Sequence, residues 1–173
     1  MNLDQLAKQL QSGQITLDEW KAEMRDYLRQ EYTLAMELAK NGRDNITPSD
    51  WGFVGSELKK QYQYLDGFAN DIAANPDRWL NGTSLQSRMK LYSDSAYTTL
   101  TDMVQREAER AGFTEERNKL GDADHCDECL EETGRDWQPI GTLIPIGERI
   151  CIVKCKCTME YRKPDGQGGY IYG

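Results

Sequence analysis

A chain of 173 residues with 38% hydrophobic content and a formal net charge of −8 allows one domain, or a domain with a small appendage, around a modest core, and it excludes a disordered polypeptide. The acidic balance weighs against sequence-nonspecific nucleic-acid binding, which needs clustered Lys and Arg, and against adhesion to an anionic membrane surface. The opening "MNLDQLAKQLQSG" has neither the basic start nor the apolar centre of a signal peptide, and no apolar run is long enough to span a bilayer. The expectation is a protein kept in a reducing cytoplasm.

In chain order, residues 3–12 place Leu3, Leu6, Ala7 and Leu10 at helical spacing, and Gly13 ends the segment. Thr16 followed by Glu19 predicts a capping box. The helix it starts carries Leu17, Trp20, Met24, Leu28 and Ala35 and stops at Asn41-Gly42. Thr47-Pro48-Ser49-Asp50 predicts the next start: Thr47 caps, Pro48 suits the first helical position, and Asp50 favours the positive helix end. The stripe that follows is Trp51, Val54, Leu58, Tyr62, Leu65, Phe68 and Ile72, closed by Asn75-Pro76. A fourth helix is expected from Ser84 to Ala111, with Leu85, Met89, Tyr92, Ala96, Leu100, Met103 and Val104 as its apolar face and Gly112 beyond its end. Residues 1–114 therefore read as a helical body of about four helices. Trp20, Trp51 and Trp79 are expected in its core or between helices, while Tyr64 stands off the stripe as a candidate partner contact.

The pattern changes after Gly112. "DADHCDEC" reads as a tight loop, and "GTLIPIGERICIVKCKCTMEYR", with Gly147 as a turn, reads as a small antiparallel β unit. A module over 115–165 is followed by a tail over 166–173, whose Tyr-Ile-Tyr is a candidate edge strand or docking segment. The fold class expected is mainly α with a small C-terminal zinc-clipped antiparallel β module, an α+β chain.

All five cysteines lie in this last region. Clustered thiols in a reducing compartment point to metal or redox chemistry rather than a disulfide framework, and an odd number leaves one over. Cys126 and Cys129 form C-x2-C; Cys155 and Cys157 form C-x-C. Four thiolates from a loop and a hairpin are the usual make-up of a structural zinc site, which stabilises segments too small to fold alone. Cys126, Cys129, Cys155 and Cys157 rank first as ligands, with Cys151 or His125 open as a replacement for one of them. A redox C-x2-C lacks the βαβ setting it needs. His125 is the single histidine, which leaves a zinc deaminase, nuclease or protease unsupported. Asp122, Asp124, Asp127 and Glu128 read equally as a solvated acidic loop or as attraction for a cation. Trp137 is a candidate cover for the module. No catalytic constellation is present in the pattern, so an enzyme is not expected.

The order of a helical region, "HCDEC", "GRDWQPIGTLIPIGE" and "CIVKCKCTMEYR" resembles the C-terminal region of the minor head proteins of tailed bacteriophages, the head morphogenesis family that includes the Mu-type protein. Cys126 and Cys129 match that family's first pair, and Cys155-Lys156-Cys157 matches its second. The resemblance covers roughly the last third of the chain. Two departures stand out: "CIVK" replaces the His-Pro common before the final pair, and the N-terminal portal-associated region of many members is not expected within these residues. The resemblance implies a structural, non-enzymatic virion component present in the host cytoplasm during assembly. Its implied partners are portal and/or capsid proteins, with membrane excluded, nucleic acid disfavoured and oligomerisation in the virion left open. The alternative is an intracellular zinc-containing adaptor or regulator that binds protein or nucleic acid, motivated by the basic group Arg149, Lys154, Lys156, Arg162 and Lys163.

Overall fold

The computed structural model describes residues 2–151 and 155–173. Its elements run α1 (Leu3–Gln11), α2 (Leu17–Ala39), a 3-10 turn (Arg43–Asn45), α3 (Pro48–Ala74), α4 (Pro76–Leu80), α5 (Ser84–Arg110), β1 (Glu115–Lys119), α6 (Asp127–Gly134), β2 (Gln138–Pro139), β3 (Thr158–Pro164) and β4 (Tyr170–Tyr172). The four strands form one antiparallel sheet in the order β2-β1-β3-β4. The α+β class is therefore the one expected.

The helix starts are local chemistry. Both Thr16 with Glu19 and Thr47 with Asp50 close reciprocal capping boxes, each satisfying two backbone donors that the first turn leaves free. Asn75 ends α3 as expected, and Pro76 then opens the short α4 rather than a loop. Trp20, Met24, Leu28 and Met36 of α2 are buried against Leu65, Phe68 and Ile72 of α3 and Leu85, Met89 and Tyr92 of α5. Phe68 sits at the centre of this core, edge-on to Trp20 at 5.8 Å and to Trp79 at 4.8 Å between ring centroids.

Two stripe positions differ, Trp51 on α3 and Val104 on α5, the latter 37% exposed. Trp51, expected inside, is 45% exposed, and the residue beside it, Asp50, is buried at 3%. The Thr47 N–H and hydroxyl, Lys40 and Arg110 all engage the Asp50 carboxylate. Their combined pull rotates the first turn of α3 so that Asp50 and Val54 face inward and Trp51 turns out.

The β unit also differs from its expected placement. Among the described residues of 141–162 only the segment from Thr158 onward is strand, and 141–151 consists of turns and irregular backbone. The central partner of β3 is β1, "EERNK", a charged segment with no alternation of apolar residues. Its charges pair across the ladder instead: Arg117 with Glu160 on β3, and Arg162 with Glu115 at 2.7 Å. The Tyr-Ile-Tyr tail adds an edge strand, β4, against Arg162–Pro164.

Candidate metal centre

The loop after β1 ends at Cys126, which takes the N-cap position of α6. "HCDEC" thus spans a loop and a helix start, not a loop alone; Asp127 and Glu128 complement the positive end of the helix. Cys129 lies one turn along α6 and is buried. Cys155 and Cys157, both buried, come from the irregular segment that leads into β3. Cys151 arrives from the end of the 141–151 turns. Val153, between Cys151 and Cys155, lies outside the described residues.

These segments converge on one sulfur. Cys129 Sγ lies 3.5 Å from Cys151 Sγ and 3.7 Å from Cys155 Sγ. Cys126, Cys129 and Cys151 place their sulfurs within 4.8 Å of one another, and so do the donor atoms of His125, Cys129 and Cys157. All four expected ligands thus gather around Cys129, together with both candidate replacements. None of the five cysteines is in a disulfide. A group of this kind can hold a metal ion.

The surroundings suit that role. His125 Nε2 is 2.9 Å from the Gly121 carbonyl, so it donates there, and Nδ1 faces Cys157 Sγ at 3.8 Å. The Cys129 backbone N–H is the main cause that lowers the Cys126 thiol to about 7, so much of it is thiolate at neutral pH. Burial and the neighbouring sulfurs push the Cys151 thiol up instead. Ile146, Tyr97 from α5, Leu120 and Met159 enclose the sulfurs. Trp137 does not cover them; it lies under Arg117 and Arg162 on the sheet, 4.6 and 4.3 Å from ring centroid to guanidinium.

The turns at 141–151 have almost no regular backbone pairing, so side chains satisfy them. Glu116 on β1 accepts from the Thr142 and Leu143 N–H groups at 3.0 and 2.9 Å. Glu132 and Glu128 on α6 accept from Ile144 and Ile150 at 3.1 and 2.6 Å. Gly147, at φ 98°, brings the turn onto α5, where an added Cβ would stand 2.3 Å from Thr98 Oγ1. Glu116, Glu132, Asn118 and Arg149, which organise the centre, carry no sequence signal that separates them from surface polar residues. The exception is a short one: Glu128 belongs to the acidic group around the first cysteine pair, and its role is to hold the strand of turns that delivers Cys151.

The basic group considered for nucleic acid is not one surface. Arg149 is completely buried, Arg162 is paired to Glu115, Lys163 donates to the Ala111 carbonyl and Lys156 is exposed; Lys154 lies outside the described residues. Among the described residues no helix is long and apolar enough to cross a membrane.

The chain matches no protein-family model, no curated protein and no solved structure.

Proposed function

We propose that this chain is a structural component of a tailed-bacteriophage head, a non-enzymatic minor head protein that acts through contacts with portal or capsid subunits, and that a zinc ion clips its C-terminal module. The observation that carries the reading is the donor cluster around Cys129, built from the paired cysteines on which the resemblance to the head morphogenesis family rests. Zinc suits it by ligand type and spacing. Zn–S bonds of about 2.3 Å in a tetrahedron set sulfur–sulfur edges of about 3.8 Å, close to the 3.5 and 3.7 Å separations at Cys129. The ion would tie α6, the 141–151 turns and the lead into β3 together, supplying stability that so small a core cannot gain from burial.

An assembly role is supported by the surface of the body. Leu34 and Leu38 on α2 are 51% and 61% exposed. Leu38 borders a groove of about 430 Å³ between α2, α5 and β3, lined also by Leu100, Val104 and Met159, and Leu34 lines a second cavity that shares Leu38 and Leu100 with it. An apolar strip on an otherwise strongly acidic chain favours protein contact over nucleic acid.

The test is elemental mass spectrometry on protein purified without chelator, followed by chelation, limited proteolysis and co-sedimentation with portal and capsid subunits. About one zinc per chain is expected, its removal exposing residues 120–165 to cleavage while the helices persist. Metal-free folded protein, or a protease pattern indifferent to chelation, overturns the zinc clip. Failure to join portal or capsid subunits overturns the head assignment.

A further inference from the structure

The most unusual group near the cluster is Arg149. Its side chain is completely buried, and a guanidinium stays protonated in any such setting. Among the described residues it has no carboxylate partner. Nε and one terminal nitrogen donate to the Ile144 carbonyl at 2.9 and 2.8 Å, and the other terminal nitrogen donates to Asn118 Oδ1 at 2.8 Å. That same nitrogen also points at Cys129 Sγ, 3.8 Å away. Neutral carbonyls satisfy its N–H groups but leave its charge without a counter-ion, which is costly in a dry interior. The negative charge within reach is sulfur, provided the cysteines are thiolates, as they are on a metal.

We infer that Arg149 is the counter-charge and positioning residue of an anionic metal–thiolate cluster. This inference rests on the metal reading above. One hydrogen bond from the guanidinium stabilises the Cys129 thiolate, the sulfur common to both donor groups. The fork on Ile144 holds the turns that end at Cys151. Asn118 completes the link, accepting from Arg149 and donating to the Cys129 carbonyl at 3.2 Å and to Thr133 on α6. Arg149 therefore acts on the metal through its ligands and does not itself bind it, as groups around a metal's direct ligands commonly do.

The test uses the full chain with Co2+ as the probe, comparing wild type with R149M and R149K by chelator competition and by the sulfur-to-cobalt charge-transfer band. R149M should bind Co2+ about 10–100-fold more weakly. Its band should move to lower energy, because the Cys129 lone pair loses the positive charge that stabilised it. A merely structural role for Arg149 would not move the band. R149K keeps the charge and should hold the band near its wild-type position. Wild-type affinity and band position in R149M overturn the inference. Should R149M not fold, R149Q, which keeps amide donors but removes the charge, decides: a band displaced to lower energy supports the inference and a wild-type band overturns it. A wild-type protein that takes up no Co2+ overturns the metal reading along with it, whereas wild-type uptake with insensitive variants overturns this inference alone.

Discussion

Lys40, at the end of α2, and Asp50, in the first turn of α3, meet at 3.2 Å with side chains only 7% and 4% exposed. Arg110 at the end of α5 reaches the same carboxylate at 2.7 Å, and Glu107 of α5 returns to Lys40 at 2.7 Å. One buried carboxylate thus joins the ends of three helices, reaching Arg110 60 residues further along the chain. Asp50→Asn keeps the shape but leaves Lys40 short of a partner. The expected cost is about 3 kcal/mol, read as a lowered midpoint in urea. A D50N midpoint equal to wild type would show that the pair contributes nothing net.

Asp50 also sets an acid limb. Burial opposes its charge, but Arg110, the Thr47 cap and Lys40 outweigh burial and hold it well below its ordinary value of 3.8. A depressed folded pKa means that the unfolded chain binds the proton first. The contribution is therefore complete above about pH 4 and is lost as pH falls toward the folded value. D50N should flatten the acid side of the stability profile. Parallel profiles for D50N and wild type below pH 4 would contradict this.

Asp102 on α5 works in the opposite sense. Burial first, then the charges of Glu148 and Glu57, raise it to about 6. Here the folded state holds the proton more tightly, so stability falls as pH rises from about 4 through 6. Asp102→Asn should stabilise the protein at pH 7 by about 1–2 kcal/mol, a value reduced for partial solvent screening, and should be neutral at pH 4. Thermal melts at the two pH values separate these outcomes; a destabilised variant at pH 7 would indicate an attractive partner for the ionised form.

Gly121 and Gly147 mark where the module's loops touch other backbone or helix. A Cβ on Gly121 would lie 2.1 Å from the Lys156 carbonyl oxygen, between the last two cysteines. Gly121→Ala must push that segment away, at a cost of about 1–3 kcal/mol, and should weaken metal retention more than it alters helix content. Circular dichroism and metal content on one sample check both; full metal occupancy in G121A would mean the segments can shift without disturbing the donors.

Phe68 carries the core of the helical body. Phe68→Ala removes a ring that is 5% exposed and packed edge-on against both Trp20 and Trp79. About 3–5 kcal/mol of destabilisation is expected from lost transfer energy and the cavity left behind, visible in urea unfolding followed by tryptophan fluorescence. A loss below 1 kcal/mol would require Trp79 to collapse into the space.

The helices were legible because their signals are local. Thr16-Glu19 and Thr47-Asp50 cap within four residues, and the 3.6-residue stripe of Trp20, Met24 and Leu28 needs no knowledge of its partner. Trp51 stands outside its stripe because apolar periodicity says nothing about the two cations and the Thr47 cap that hold its neighbour Asp50. The cysteines were legible as a set. That Cys129 stands at its centre was not, because it meets Cys151 and Cys155 from segments 22 and 26 residues away.

Spacing and composition were enough for the helical body, its caps and the presence of a sulfur-rich module, since each depends on interactions within a turn or two of the chain. The long-range fold assigned everything that depends on meeting. It made β1 a central strand through cross-strand ion pairs, used Glu116, Glu128 and Glu132 to satisfy a backbone with no ladder of its own, and turned Arg149 from one member of a basic cluster into a buried cation facing Cys129. A charged residue is the hardest to place from sequence, because its desolvation is tolerable only beside partners that the fold alone brings near.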